Sequence, residues 1–187
     1  MTAKALLRSS LRARRRSLAA AAPDAASRAA VIAPLAQWGA VAVCAGYNTQ
    51  GSEFDPGPLM ARLAAAGAAL ALPAGTDLGG PLTFRAWRAG DPLVADVFGV
   101  ASPRPDAPAL HPDLVIVPVL GFDRRGGRIG QGGGTYDRTL ANLRGRGPVF
   151  ALGLAYAGQE VDEIPQEAHD QRLDAVLTES DYFQFGD

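Results

Sequence analysis

A glycine-rich stretch at residues 122–138 contains residue types that bind phosphate. Its glycines allow tight turns with positive φ and leave no side chain in front of a ligand. Backbone N–H groups in such a turn, at the start of a helix, form an anion site. Arg128 adds a guanidinium that can hold a phosphate through two hydrogen bonds. The spacing matches neither the P-loop nor the dinucleotide fingerprint, so the stretch predicts either a phosphate site or a flexible turn.

Asp137 follows these glycines by three residues. A carboxylate beside a polyphosphate is a typical magnesium ligand, because Mg²⁺ takes one or two carboxylates together with phosphate oxygens. An acidic residue in the first turn of a helix is also favourable without a metal. Both interpretations of Asp137 stay open at this point.

A basic segment opens the chain, and its first acidic residue is Asp24. Cations recur every four residues, which stacks them on one helix face: Lys4, Arg8, Arg12 and Arg16. An apolar stripe on another face holds Leu7, Leu11 and Leu18. Like charges at this spacing destabilise a helix by a few tenths of a kcal/mol per pair, roughly, and an anionic ligand would relieve that. A solvated basic face and a targeting peptide are the alternatives.

Strands and helices alternate along the rest of the chain. We expect helices at 25–38, at 56–66 and at 135–144. Asp24 can cap the first of them, and Pro34 is expected to kink or shorten it. Strands are expected at 41–47, 68–73, 82–87, 114–118, 148–154 and 173–177, and a loop at 99–112. This order predicts one α/β domain over residues 1–187, with three layers, a mostly parallel or mixed central sheet and helices on both faces, as in Rossmann-like folds. The glycine-rich stretch then follows the carboxyl end of a strand, where ligands bind in open α/β sheets.

The amino-acid composition excludes several classes of protein. The 187 residues are 48% hydrophobic and 20% charged, which is typical of a globular protein and excludes whole-chain disorder. No apolar segment is long enough to suggest a membrane span. The single cysteine, Cys44, favours a reducing cytoplasm. The net charge of −1 hides a local basic face, which indicates a specific anionic ligand and argues against a broad nucleic-acid surface.

Four separated motifs, taken in order, resemble the 5-formyltetrahydrofolate cyclo-ligase (methenyltetrahydrofolate synthetase) family over nearly the whole chain. They are the basic helix with Lys4 and Arg8, the polar run from Tyr47 and Asn48 to Glu53, the stretch from Pro118 through Phe122 and Asp123 to Arg128 and Asp137, and the tail with Pro165, Asp170, Leu173 and Asp174. The resemblance implies ATP- and Mg²⁺-dependent cyclisation of 5-formyltetrahydrofolate to 5,10-methenyltetrahydrofolate, with release of ADP and phosphate, through phosphorylation of the formyl oxygen.

The resemblance also implies a role for each matching residue. The ATP-binding positions are Lys4, Arg8, Arg128, Gly130, Gly132, Gly133, Gly134, Thr135 and Tyr136. Folate-binding positions are Asn48, Glu53 and Tyr136, the magnesium carboxylates are Asp137 and Asp170, and the catalytic candidates are Arg128 and Tyr136. Phe98 falls where relatives carry an aromatic residue that can stack on the ligand or pack in the core.

Three residues depart from those common in relatives, namely Ser102, Gln131 and Thr135. These departures bear on affinity for the folate more than on ATP chemistry. The main alternative is therefore a non-catalytic paralogue that binds folate or a nucleotide, and a nucleic-acid binder is a third reading. We expect a cytoplasmic monomer that takes small-molecule substrates and binds neither nucleic acid nor a membrane.

Overall fold

The computed structural model describes residues 3–186. Its helices are α1 (Ala3–Ala21), α2 (Ala25–Ile32), α3 (Gly57–Ala65) and α4 (Thr135–Arg144), with short 3-10 helices at Leu35–Gln37 and Ala157–Gln159. Its strands are β1 (Val43–Ala45), β2 (Ala69–Ala74), β3 (Thr83–Ala86), β4 (Leu93–Ala95), β5 (Ala101–Pro103), β6 (Leu114–Pro118), β7 (Gly121–Phe122), β8 (Arg128–Ile129), β9 (Phe150–Leu154), β10 (Ala175–Leu177) and β11 (Tyr182–Gln184).

Seven of these strands form one central sheet in the order β11-β10-β9-β6-β1-β2-β3. The five inner strands pair in parallel, and the edge strands β3 and β11 pair antiparallel to their neighbours. The predicted α/β class with a mostly parallel or mixed sheet is thereby confirmed. The strands β4 and β5, and likewise β7 and β8, form two separate hairpins.

The central strand β6 shows why helices cover both faces of the sheet. Its residues alternate sides: Leu114 and Ile116 pack with α2 and α3, while Val115 and Val117 pack with α4. All four side chains are almost fully buried. A continuous apolar run is what a parallel strand buried on both faces requires.

The predicted boundaries are wrong at several places. The helix expected over 25–38 ends at Ile32, because Ala33 precedes Pro34 and takes an extended ψ of 124°. Asp24 stands at the N-cap position of α2, but its side chain makes no capping hydrogen bond and lies 3.4 Å from Arg28. The expected loop at 99–112 contains β5. The strands of the two hairpins and β11 are two or three residues long, too short to give a periodic signal.

Asp123 organises the turn of the β7–β8 hairpin, which carries Arg128. Its side chain is 1% exposed and accepts hydrogen bonds at 2.9 Å from the backbone N–H groups of Arg125, Gly127 and Ile164. A Cβ at Gly127 would stand 2.7 Å from the Asp123 carboxylate, so glycine is needed for this close approach. The acidic residue of this motif therefore has a structural role beside the site.

We expect Asp123→Ala to lower the free energy of unfolding by about 3 kcal/mol, since it leaves buried backbone donors without an acceptor. Burial acts to raise the pKa of Asp123, but the three backbone N–H groups outweigh it and lower this pKa. The contribution to stability is therefore fully present above about pH 4, the ordinary carboxyl value, and is lost as the pH falls through the lowered value.

Urea unfolding of the Asp123→Ala variant between pH 3 and 8 measures this effect. Asp106→Ala is the matched control, because Asp106 is exposed and its carboxylate pairs with the also exposed Arg104. Equal unfolding midpoints for the two variants at pH 7 would contradict the role given to Asp123.

Candidate active site

One cavity of about 670 Å³ lies beyond the carboxyl ends of β1, β2 and β6. This is the edge at which ligands bind in open α/β sheets. Every site residue predicted from the sequence lines it: Lys4, Arg8, Asn48, Glu53, Arg128, Gly130, Gly132, Gly133, Gly134, Thr135, Tyr136, Asp137 and Asp170. The structure thus brings together residues that are up to 166 positions apart in the chain.

Of the four cations predicted to lie on one face of α1, some line the cavity and others face away from it. Lys4 and Arg8 line the cavity, whereas Arg12 donates from Nε to the Gln131 side chain at 2.9 Å, and Arg16 is exposed. Arg8 donates from Nε to the Gly130 carbonyl at 3.1 Å. The first half of α1 therefore forms a wall of the cavity and contacts the glycine-rich loop.

Lys4 reaches across the cavity to the loop that precedes β10. Its Nζ lies 2.8 Å from the Asp170 carboxylate and 3.2 Å from that of Glu167. Burial acts to lower the pKa of Lys4, but the two carboxylates raise it overall. The pKa of Asp170 is lowered, because the hydrogen bonds from Lys4 and the Glu167 N–H outweigh its burial. Lys4 and Asp170 are therefore both charged at neutral pH.

The glycine-rich loop runs from β8 into the first turn of α4. Gly132 has a φ of 104°, and Gly134, at the N-cap of α4, has a φ of 64°. Residues other than glycine rarely adopt either conformation. The loop and the start of α4 line the cavity together, so backbone N–H groups and the helix dipole favour an anion there.

We expect Gly132→Ala to lower the free energy of unfolding by about 1–2 kcal/mol, because alanine is strained at this positive φ. The added Cβ would also stand 3.2 Å from Arg8 Cζ, so Arg8 must shift, and binding of the ATP that the resemblance implies should weaken. Thermal unfolding and ATP titration measure both effects. Gly130→Ala is the matched control, since its Cβ meets nothing within 4 Å. A Gly132→Ala variant as stable as this control would contradict the expectation.

Arg128 and Asp137 form an ion pair in the wall of the cavity. Arg128 Nη2 lies 2.5 Å from Asp137 Oδ1, and the two side chains are 6% and 18% exposed. Arg128 also donates from Nε to the Gln171 carbonyl at 3.2 Å, and the Gln171 N–H donates to Asp137 at 3.0 Å. Burial lowers the pKa of Arg128, while the Asp137 and Asp170 carboxylates act in the opposite direction. The guanidinium is thus held in one orientation.

Carboxylates at the same end of the cavity could hold a metal ion. Asp137 and Asp170 both line the cavity, as predicted. Within residues 3–186, Glu167, His169 and Asp170 offer ligand atoms that all lie within 4.8 Å of one another. Carboxylate oxygens suit Mg²⁺, so Glu167 and Asp170 fit a magnesium ion, whereas Asp137 does not belong to this group and pairs with Arg128. Glu167 was not predicted as a ligand from the sequence, where its only signal is its place three residues before Asp170.

Glu53, Asn48 and Tyr136 also line the cavity. Glu53 lies 3.5 Å from Arg15 and accepts a hydrogen bond from the Gln50 N–H at 2.9 Å. The Asn48 side-chain amide donates to the Ala101 carbonyl. Burial and, less strongly, the Glu53 charge raise the pKa of Tyr136 far above neutral, although Arg128 opposes this. Tyr136 is therefore a protonated phenol at neutral pH.

The β4–β5 hairpin forms part of the cavity rim. Its turn presents Asp96 and Phe98 to the cavity, and Phe98 is 41% exposed. The Asp96 carboxylate accepts hydrogen bonds from the Gly75 N–H at 2.8 Å and the Ser102 hydroxyl at 3.2 Å. Ser102 is fully buried and does not line the cavity, so any effect of Ser102 on a ligand passes through its neighbours Asp96 and Val100, which do. Phe98 faces the cavity and is not a core residue.

Comparison with known proteins gives consistent matches. The sequence model of the 5-formyltetrahydrofolate cyclo-ligase family matches residues 1–179. The chain is 40% identical to the 5-formyltetrahydrofolate cyclo-ligase of Mycolicibacterium smegmatis over 144 residues, which is 73% of this chain and 72% of that one. It is 32% identical to the Escherichia coli K12 protein of the same name over 167 residues, 87% and 90% of the two chains.

Solved structures share the fold. The 5,10-methenyltetrahydrofolate synthetase of Aquifex aeolicus superposes with a TM-score of 0.76 at 23% identity, covering 100% of this chain and 94% of that one. The synthetase of Mycoplasma pneumoniae superposes with a TM-score of 0.73 at 18% identity, covering 95% and 99%. Between residues 3 and 186, no helix has the length and apolar character needed to cross a membrane.

Proposed function

This chain belongs to the 5-formyltetrahydrofolate cyclo-ligase family, whose reaction is the ATP-dependent cyclisation of 5-formyltetrahydrofolate to 5,10-methenyltetrahydrofolate, and we propose how its cavity performs that reaction. The observation that carries the proposal is that two chemically different sets of residues line one cavity. One set holds cations, glycines and carboxylates, and we take it to mark one end of the cavity; the other holds Glu53, Asn48 and Tyr136, and we take it to mark the other end.

We place the triphosphate of ATP at the cationic end. Lys4, Arg8 and Arg128 face the glycine-rich loop there, and the start of α4 adds backbone N–H groups. Together these groups neutralise a polyphosphate and orient it, which is most of what phosphoryl transfer requires from a protein. Because Lys4 and Arg128 are already held by Asp170 and Asp137, they do not have to be ordered when ATP binds.

We place the folate at the other end. A carboxylate can accept two hydrogen bonds from a pterin, one from a ring N–H and one from the amino group, and Glu53 is the carboxylate that lines this end. Asn48 and the protonated Tyr136 phenol add polar contacts, and the exposed ring of Phe98 offers an apolar surface at the rim. The formyl group then lies between Glu53 and the phosphate-binding loop.

In the proposed reaction the formyl oxygen attacks the γ-phosphorus of ATP, and the bond to ADP breaks. The 10-nitrogen then attacks the former formyl carbon and loses its proton, and phosphate leaves with the oxygen. Phosphorylation is needed because an amide oxygen is a poor leaving group. Arg128 and Lys4 stabilise the charge on the transferred phosphoryl group, and Tyr136 orients the folate. No protein nucleophile is required.

We assign the magnesium ion to Asp137 and Asp170, with Glu167 beside them. When bound, the ion neutralises charge on the phosphate oxygens of ATP. The ion pairs of these carboxylates with Arg128 and Lys4 each engage one carboxylate oxygen and hold the side chains in place before any ligand binds.

The test is the near-ultraviolet absorbance of the purified protein with 5-formyltetrahydrofolate. The methenyl chromophore should grow with MgATP, with one phosphate released per product, and should not grow with the β,γ-imido analogue of ATP or without magnesium. Binding of the folate without growth of the chromophore would overturn the proposed catalysis in favour of a non-catalytic paralogue.

We also propose that the protein works as a monomer in the cytoplasm. Cys44 is fully buried, and burial raises the pKa of its thiol to about 12, which suits an unreactive thiol in a reducing compartment. Every site residue predicted from the sequence already lines this one cavity, so the proposed site does not need a residue from a second copy. Analytical ultracentrifugation at assay concentrations tests the monomer, and activity that appears only with dimerisation would contradict it.

A further inference from the structure

Arg15 occupies an inward-facing position on α1 that helices normally fill with an apolar residue. It lies between Leu11 and Leu18 on the stripe that packs onto the body of the protein. The packing is close on both sides: a Cβ at Gly121 would stand 2.8 Å from Leu11, and one at Gly158 would stand 2.7 Å from Leu18. Arg15 is only 6% exposed, and burying a charge is costly unless it is paired.

The partners of Arg15 lie in the polar loop that follows β1. Arg15 Nη1 lies 3.5 Å from Glu53 Oε1, and its Nε donates to the Ser52 hydroxyl at 3.3 Å. The second oxygen of Glu53 accepts the hydrogen bond from the Gln50 N–H at 2.9 Å. The Glu53 carboxylate is therefore held from two directions, and its side chain is 10% exposed at the cavity wall.

A purely structural role explains this arrangement poorly. Well-packed apolar residues often stabilise a protein as much as a buried ion pair does, or more. This pair, however, lies in the wall of the cavity, with the phenols of Tyr47 and Tyr136 near Glu53. Its position favours a function in orienting a group toward a ligand.

We propose that Arg15 is a positioning residue for the folate: it fixes the Glu53 carboxylate in the orientation that receives the two pterin hydrogen bonds. Arg15 acts through Glu53 and does not itself contact the reacting atoms. The inference rests on the proposed function, because it assumes that Glu53 binds the folate. It adds a residue of α1 to the folate end, whereas Lys4 and Arg8 of the same helix belong to the phosphate end.

Arg15→Met should raise the KM for 5-formyltetrahydrofolate about 10- to 100-fold, the range for losing hydrogen bonds to a charged group. The KM for ATP should stay unchanged, since the cations of the phosphate end are intact. Arg15→Lys keeps a positive charge beside Glu53 and should recover most of the affinity for the folate. Arg16→Met is the matched control. Arg16 is the next residue along α1, its side chain is exposed, and this variant should behave like the wild type.

A double-mutant cycle with Glu53→Gln separates the possible roles of Arg15. If Arg15 acts through Glu53, Arg15→Met raises the folate KM no further in the Glu53→Gln background. A further rise there would mean that Arg15 contacts the substrate directly, and would overturn the proposal. An unchanged folate KM in a folded but less stable Arg15→Met protein would overturn it in favour of a structural role.

Further variants and a binding measurement test the role of Arg15 even if Arg15→Met does not fold. If Arg15→Met leaves Glu53 unpaired and the protein does not fold, the Arg15→Lys variant and the Arg15→Met/Glu53→Gln double variant, which has no unpaired charge, still report the coupling. Calorimetric binding of 5-formyltetrahydrofolate without ATP measures the same cycle apart from turnover. A wild type that binds the folate without forming the chromophore would refute the proposed catalysis, and the Arg15–Glu53 coupling would be judged separately.

Discussion

Replacing Arg128 by alanine is expected to lower kcat about 100- to 1,000-fold, the range seen when one preorganised group that stabilises the transition state is removed. The guanidinium is 6% exposed and is fixed by Asp137 and the Gln171 carbonyl, so it is oriented before ATP arrives. A fixed charge in a site shielded from water stabilises a transferred phosphoryl group more than a mobile surface charge can. The KM for the folate should change far less than kcat.

Single-turnover formation of the methenyl chromophore with saturating MgATP measures this effect, and urea unfolding of the same variant shows whether it remains folded. Arg128→Lys should recover only part of the rate, because an ammonium group cannot make the bidentate hydrogen bonds of a guanidinium. Arg146→Ala, at an exposed position just after α4, serves as the control. A folded Arg128→Ala protein with the wild-type single-turnover rate would remove Arg128 from the catalytic machinery.

Lys4→Met is expected to raise the KM for ATP about 10- to 100-fold, the effect of losing a charged hydrogen bond to a phosphate. Lys4 lies at the start of α1 yet is only 14% exposed, because Asp170 and Glu167 hold its ammonium group inside the cavity. The change also leaves these two carboxylates without their cation, which adds repulsion toward the triphosphate. The KM for 5-formyltetrahydrofolate should remain near the wild-type value, since Glu53 lies at the other end.

Initial rates over a range of ATP concentrations, at fixed excess magnesium, provide the measurement. Lys4→Arg should recover most of the affinity for ATP, because it retains the charge that contacts phosphate. Arg14→Met is the matched control on the same helix, because the Arg14 side chain is exposed and donates to the Glu160 carbonyl, away from the cavity lining. If Lys4→Met and Arg14→Met had the same KM for ATP, the proposal that the basic face of α1 binds the phosphates of ATP would be wrong.

Residues close together in the sequence were the predictable part of this site. Between residues 128 and 137 the glycines, Arg128 and Asp137 lie on one loop and the first helical turn after it, so their chemistry is visible without the fold. The α4 helix was predicted with its observed bounds, Thr135–Arg144, because the glycines mark its start. The apolar run of β6 likewise predicted a strand buried on both faces.

Pairings between distant residues could not be predicted in the same way. The contact of Lys4 with Asp170 spans 166 positions, and that of Arg12 with Gln131 spans 119. The i, i+4 pattern placed all four cations of α1 on one face, but the pattern does not show where along the helix the cavity ends. Only the packing of α1 against the loops decides that Lys4 and Arg8 line the cavity and that Arg16 faces solvent.

Arg15 and Glu53 show most clearly which pairings could not be predicted from the sequence. The residue types alone favour a solvated face for each, because charged side chains are rarely buried unless they are paired. Each is buried with the other as its charged partner, and that pairing exists only after α1 packs beside the loop that follows β1. The sequence by itself determined the α/β class and the glycine-rich turn that leads into α4, since local backbone preference and the hydrophobic pattern decide these. The tertiary structure alone decided which charges neutralise one another in the cavity, because Coulomb energy and burial depend on distances that the chain order does not contain.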